Sequence, residues 1–96
     1  MSNQRDRDII AAALLEKGFK VKSTHHQIYF LYFKDKKTSI FTKISHGSKY
    51  KTYSDSLLGL MSRQLRLKKS ELLKLIDCSI NYQNYIKILI ERGHLK

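Results

Sequence analysis

Residues 19–44 read FKVKSTHHQIYFLYFKDKKTSIFTKI, and this stretch decides the fold. Residues 19–22 alternate apolar and basic side chains, as a half-buried strand does. Residues 27–33 and 38–44 are rich in aromatic and branched side chains, in runs too short for an average helix. The charged segment 34–37 joins these two runs as a hairpin turn. The stretch therefore predicts three antiparallel strands, with Lys20 and Lys22 on the same face of the sheet.

The residues before this stretch predict an amphipathic helix from Arg7 to Lys17. Asp6 is placed to be its N-cap, and Gly18 to end it in a left-handed conformation. The spacing of apolar residues predicts a single buried stripe, made of Ile9, Ile10, Ala13 and Leu14.

The residues after it predict three further helices. The first covers 55–66 behind a Ser54 N-cap, and Ser70 caps a short second helix that ends at Ile76. Asn81 caps the third, which runs to Arg92 before Gly93. The predicted buried stripes of the first and third helices are Leu58, Met61 and Leu65, and Tyr85, Ile86, Leu89 and Ile90. Arg63 and Arg66 give the first of these helices a basic outer face.

These elements predict an α+β fold in one domain spanning residues 1–96. Two long helices can cover one face of the sheet, which gives a two-layer α-β-β-β-α sandwich over a core of residues 5–67. Residues 68–96 are then a C-terminal helical extension, packed on or beside that core. The opposite face of the sheet carries Lys20 and Lys22 and stays open to solvent or ligand.

Composition narrows the function. The chain has a formal net charge of +11, and residues 17–69 contain thirteen lysines and arginines but only two acids. This concentration favours a phosphate-rich partner, and RNA is the partner we expect. The expected RNA contacts are Lys20, Lys22, Thr24, Lys43, Ser48, Lys49, Lys51 and Arg63. Tyr50 and Tyr53, beside lysines, are the aromatic residues most suited to stack on bases, whereas the other rings are expected in the core.

Other classes of protein are disfavoured by what the chain does not contain. A single cysteine, Cys78, forms no internal disulfide and is expected to be a small buried hydrophobe. No apolar run is long enough to cross a membrane, and residues 1–6 lack a signal-peptide core, so we expect a cytoplasmic protein. The four histidines form no metal-ligand spacing, and we expect neither a metal nor another cofactor.

Three histidines lie inside the basic span and could transfer protons near neutral pH. His25 and His26 fall between the first two strands, where neighbouring residues point in opposite directions, so only one of them need face a substrate. His46 follows the third strand in the segment SHGSKYK and is the expected partner of His25, because the end of the third strand lies near the start of the second. Two imidazoles across one phosphodiester could divide the general base and general acid roles. Loop histidines without any chemistry fit the same pattern.

Several short motifs resemble the HicA family, the small basic toxins of HicAB toxin–antitoxin systems. Residues 14–19 (LLEKGF) resemble the family's L-x-x-x-G-F junction, and residues 22–29 (KSTHHQIY) resemble its K-G-S-H-H-x-x-Y segment. Residues 42–46 end a strand in histidine, as many members do, and residues 57–65 occupy the place of a G-T-L-R-x-I-L-R helix. Ser23 and Thr24 replace the family's glycine and serine.

The resemblance implies a fold like that of double-stranded-RNA-binding domains and metal-independent cleavage of mRNA. It implies that His25 is the catalytic histidine, with His46 or, less readily, His26 assisting, and that a HicB-like antitoxin protein is a partner. The sequence thus predicts an RNA-binding protein that resembles HicA toxins and leaves open whether it is an endoribonuclease. The alternatives are a non-catalytic RNA-binding module and a basic protein-interaction domain on the same fold.

Overall fold

The three predicted strands form an antiparallel sheet in a computed structural model of the chain, which describes residues 4–23, 27–44 and 51–95. Residues 24–26 and 45–50, which contain the three candidate catalytic histidines, lie outside the described residues. In chain order the elements are β1 (Arg5–Asp6), α1 (Arg7–Glu16), β2 (Phe19–Ser23), β3 (Gln27–Phe33), β4 (Lys36–Ile44), β5 (Thr52–Tyr53), α2 (Asp55–Gln64), α3 (Lys69–Ile76) and α4 (Tyr82–Glu91). The α+β class is therefore confirmed.

The sheet has the order β2-β3-β4, with Lys20 opposite Phe30 and Phe30 opposite Phe41. The register shifts after the Phe30–Phe41 pair, because the next pair is Tyr32 with Lys37. Between these two pairs β4 has two more residues than β3, which forms a bulge. The Thr38 hydroxyl fills this bulge by donating to the Leu31 carbonyl oxygen at 2.7 Å. An insertion of two residues keeps the alternation of side chains, so both halves of β4 present the same face.

Helices cover one face of this sheet. The buried side chains on that face belong to Phe19, Tyr29, Leu31, Ile40, Thr42 and Ile44. All of these except Thr42 form one hydrophobic cluster with residues of all four helices. In α1 and α2 the predicted stripes are buried at Ile10, Ala13 and Leu14 and at Leu58, Met61 and Leu65.

The two C-terminal helices belong to this cluster. The Tyr85 ring of α4 stacks on Phe19 with ring centroids 6.0 Å apart, and its hydroxyl donates to the Leu65 carbonyl oxygen at 2.8 Å. Burial raises the pKa of the Tyr85 phenol, so the hydroxyl keeps its proton and its role as donor. Two bidentate ion pairs, Arg5–Asp77 and Arg92–Glu71, tie α3 to the N-terminal strand and to α4.

Local features confirm some sequence predictions and correct others. Ser54 and Asn81 cap α2 and α4 by accepting the backbone N–H of the third helical residue, and Gly18 has φ of +87°. Ser70 does not cap α3, because the Glu71 carboxylate accepts the Lys68 N–H and the helix starts at Lys69. The prediction that Cys78 is buried is wrong, since it is exposed just beyond the end of α3.

Two residues at the margins of predicted stripes are also exposed. Ile9 of α1 and Ile90 of α4 are exposed to solvent, because the buried stripe of each helix is narrower than the set of apolar residues that the sequence places together. Sequence reasoning also missed the short antiparallel pair β1–β5, in which Arg5 is opposite Tyr53. A two-residue pairing has no periodicity to detect, so only the fold reveals it.

Candidate nucleic-acid interface

The face of the sheet turned away from the helices carries aromatic and basic side chains in rows, and we call it the open face. Register pairs place Ile28 between Lys22 and Lys43 in one row, and Phe30 between Lys20 and Phe41 in the next. Tyr32 and Lys37 form a third row. The strand alternation read from the sequence produces this arrangement, because every second residue of each strand points the same way.

The rings of the open face are in contact with one another and with lysines. Phe30 and Phe41 have centroids 5.6 Å apart and are tilted by 38°. The ammonium of Lys37 lies 4.6 Å from the Phe30 centroid, and that of Lys20 lies 4.4 Å from the Tyr32 centroid. Such cation–π contacts hold two positive charges directly above an apolar surface. The side chain of Phe41 is 41% exposed and, within the described part of the chain, has no ammonium above its ring.

No acid offsets these charges on the open face. All eight acids lie within the described residues, and none belongs to β2, β3 or β4; Asp35 is in the turn between β3 and β4. Asp55, Glu71 and Asp77 pair with cations on or beside the helices. The ammonium groups of Lys20, Lys22, Lys37 and Lys43 have no carboxylate partner among residues 4–23, 27–44 and 51–95. Their field is therefore directed outward from one surface.

A groove extends the positive charge beyond the edge strand β4. It is lined by Ser39, Phe41, Arg63, Gln64 and Arg66. The buried Thr42 hydroxyl donates to the Gln64 side-chain oxygen at 2.6 Å, which fixes the end of α2 against β4. Arg63 and Arg66, both exposed, line this groove together with Phe41.

The structure brings together some of the predicted RNA-binding residues and separates others. Lys20, Lys22 and Lys43 are exposed on the open face, and Arg63 lies in the adjoining groove. Lys51 lies elsewhere, beside the start of α1, where its carbonyl oxygen accepts the Arg7 N–H at 2.7 Å. Thr24, Ser48 and Lys49 are outside the described residues.

The predicted catalytic histidines His25, His26 and His46 are also outside the described residues. The residues that flank their segments, however, are neighbours in the sheet. Ser23 pairs with Gln27, and Gln27 pairs with Ile44, in the row next to Lys22 and Lys43. The fourth histidine, His94, lies within the described residues, three positions after the end of α4.

Sequence reasoning missed Phe30, Tyr32, Phe41, Lys37 and Arg66. The prediction that the strand aromatics are core residues is wrong for Phe30, Tyr32 and Phe41, and Tyr53 is buried against expectation. Tyr50 is not described. Strand alternation predicts that residues 28, 30 and 32 of β3 share one face and that residues 29 and 31 share the other, but it does not predict which face is buried. An all-apolar strand conceals which of its two faces is covered.

Neither a metal cluster nor a membrane-spanning helix is found in the described part of the chain. No three His, Cys, Asp or Glu side chains there lie close enough to hold a metal ion. No helix there is both long enough and apolar enough to cross a membrane.

The fold and the open face define an α+β protein with a basic, aromatic sheet surface. Comparison of the chain with models of protein families, with curated proteins and with solved structures finds no match.

Proposed function

We propose that this protein binds RNA through the open face of its sheet, on a fold that follows the α-β-β-β-α order of double-stranded-RNA-binding domains. One observation carries the proposal: four lysines surround three aromatic rings on a surface that contains no acid. Ammonium groups favour a polyanion through counterion release. Exposed rings favour a partner with flat bases, which distinguishes a nucleic acid from an acidic protein. The resemblance to HicA toxins supports RNA as the nucleic acid.

The experiment compares two double variants that remove the same charge. Lys20→Gln/Lys43→Gln changes the open face, and Lys74→Gln/Lys87→Gln changes exposed lysines of α3 and α4. RNA affinity is measured by fluorescence anisotropy over a series of salt concentrations. For single-stranded RNA, the slope of log affinity against log salt concentration should become shallower by about 0.7 for each phosphate contact that is removed. This change is expected for the open-face variant and not for the other.

Three results would contradict the proposal. Equal losses in both double variants would mean that binding is not localised to the open face. Stronger binding to DNA than to RNA of the same sequence would make RNA the wrong ligand. At about 150 mM salt, attraction between charges is screened beyond about 8 Å. Absence of RNA binding under this condition would favour the alternative that the protein is an interaction domain for an acidic protein.

Metal-independent RNA cleavage is a second candidate function. The register that makes Ser23, Gln27 and Ile44 neighbours favours it, since these residues flank the two histidine-containing segments. In this hypothesis His25 accepts the 2′-hydroxyl proton, and His46 or His26 protonates the leaving oxygen. The HicA resemblance supports the same assignment and adds a HicB-like antitoxin as the partner that would block the site.

Cleavage is tested in EDTA with the unsubstituted protein, His25→Ala, His46→Ala and, as control, His94→Ala. General acid–base catalysis contributes about 10²–10⁴-fold, so loss of either acting histidine should reduce the rate by that order. Full activity of His25→Ala would remove that residue from the mechanism. RNA binding without any cleavage by the unsubstituted protein would leave the non-catalytic module.

A further inference from the structure

We propose that Phe41, Arg63 and Arg66 form a subsite for one unpaired nucleotide, with its base stacked on Phe41 and its phosphate held by the two arginines. This inference rests on RNA binding by the open face and adds the class of RNA that is bound. It differs from what a likeness to double-stranded-RNA-binding domains implies, which is a duplex.

The Phe41 ring is the aromatic surface that is free to accept a base. Phe30 and Tyr32 each have a lysine ammonium within 5 Å of the ring centroid, at 4.6 Å and 4.4 Å. Phe41 has none within the described residues, and it is the most exposed of the three. Phe30 supports it from the side at 5.6 Å. A ring held by such a neighbour loses little freedom when a base stacks on it.

The adjoining groove supplies the phosphate contacts. Arg63 and Arg66 are both exposed there, and neither has a carboxylate partner within residues 4–23, 27–44 and 51–95. Guanidinium groups donate in pairs to phosphate oxygens, in a geometry that lysine does not offer. Gln64, which accepts the Thr42 hydroxyl, fixes the end of α2 beside the edge strand β4, and Arg63 and Arg66 flank it in the sequence. Phe41, Arg63 and Arg66 thus line one groove, as the base and phosphate of one nucleotide require.

The geometry selects unpaired RNA, because a base inside a duplex has both of its flat faces covered by neighbouring pairs. Sequence-tolerant stacking on protein rings accordingly occurs with single strands, loops and ends. Duplex RNA presents phosphates and 2′-hydroxyls instead, and these could contact the lysines of the open face but not the Phe41 ring.

A fluorescent probe tests the stacking directly, since the chain contains no tryptophan. In Phe41→Trp, binding of an oligouridine of about ten nucleotides should quench the introduced indole. A duplex of about 16 base pairs should leave the fluorescence unchanged. Ile90→Trp, at an exposed position of α4, is the matched control and should not respond to either RNA.

Affinity measurements complete the test. Phe41→Leu keeps an apolar side chain but no ring face and should weaken oligouridine binding about tenfold, whereas Phe41→Tyr should stay within about twofold. Arg63→Gln/Arg66→Gln should lower the salt slope by about 0.7 to 1.4, compared with no change for Lys74→Gln/Lys87→Gln.

The outcomes separate this inference from the function on which it rests. Undiminished RNA binding without indole quenching, or equal quenching by the duplex, would overturn the unpaired-nucleotide subsite and leave RNA binding intact. Equal affinities of Phe41→Leu and Phe41→Tyr would also overturn it. Failure of the unsubstituted protein to bind any RNA would overturn both.

Discussion

At the scale of single residues, Arg66 combines a stability cost with a place in the proposed subsite. It lies just beyond the C-cap of α2 with φ of +64°, in the left-handed region that favours glycine. Arg66→Gly should therefore raise the free energy of unfolding by about 0.5–1 kcal/mol while weakening RNA binding. Urea denaturation and anisotropy measure the two effects.

Cys78→Gly is the control for that prediction. Cys78 follows the end of α3 with φ of +65°, so the backbone relief is similar, but its thiol contacts Lys17 and Glu16 and no described residue of the open face. RNA binding should stay unchanged in this variant. A gain in stability without loss of affinity in Arg66→Gly would remove Arg66 from the site.

A second residue-scale prediction concerns Gly18, where the chain turns from α1 into β2. A Cβ atom here would overlap the Tyr82 ring, and the φ of +87° already disfavours any side chain. Gly18→Ala should cost about 2 kcal/mol or more, because it also disturbs the hydrogen bond from the Tyr82 hydroxyl to the Tyr32 carbonyl oxygen.

Gly93 provides the comparison for Gly18. Its φ is +79°, but its surroundings are open. Gly93→Ala should cost only the backbone term, about 1 kcal/mol. Equal losses of thermal stability in the two variants would mean that the contact between Gly18 and Tyr82 contributes nothing.

At the scale of elements, side-chain N-caps stabilise α2 and α4 in addition to the core. The Asn81 side chain accepts the Asn84 N–H at 2.8 Å at the start of α4. Asn81→Ala should lower the free energy of unfolding by about 1 kcal/mol. Asn84→Ala makes the same substitution three residues later and should be neutral or stabilising by up to about 0.5 kcal/mol, because alanine is the better helix former. The opposite order of stabilities in urea denaturation would contradict the capping role.

The sheet shows how far an element can be predicted. Residues 19–44 predicted its three strands and the exposure of Lys20 and Lys22. The two-residue bulge opposite Leu31 could not be predicted, because it depends on hydrogen bonds of the Thr38 hydroxyl with a neighbouring strand and with Ile40. The bulge matters for the site, since it sets the row in which Phe41 meets Phe30.

At the scale of the whole molecule, ion pairs join segments that are distant in sequence. Arg5 and Asp77 are 72 residues apart, and hydrogen bonds from Arg5 lower the pKa of the Asp77 carboxyl. Hydrogen bonds from the Arg92 guanidinium lower the pKa of the Glu71 carboxyl, and the hydrogen bond from the Lys68 N–H lowers it further. A carboxyl group whose pKa is lower in the folded state than in the unfolded state stabilises the fold at pH values above its unfolded-state pKa. This contribution is lost as the pH falls through its folded-state pKa.

Stability should therefore decline as pH falls below about 4.5, the ordinary Glu value, and decline further below about 3.8, that of Asp. Glu71→Gln should be less stable at neutral pH but lose less on acidification, in urea denaturation between about pH 7 and 2. Asp35→Asn, in the exposed β3–β4 turn, should follow the unsubstituted protein. Parallel curves for all three proteins would exclude the Arg92–Glu71 pair as a source of acid sensitivity.

The sequence by itself determined the order of the strands and the principal helices, the caps at Ser54 and Asn81, and the alternation that places Lys20 and Lys22 together. These are local properties, because periodicity and capping depend on residues within a few positions of one another. Tertiary structure alone decided that Phe30, Tyr32 and Phe41 lie on the face that the helices leave uncovered, and that Arg63 and Arg66 line a groove with Phe41. A strand with apolar residues on both faces does not specify which face the helices cover, because that choice depends on packing partners distant in sequence, such as Phe19 and Tyr85, which are 66 residues apart.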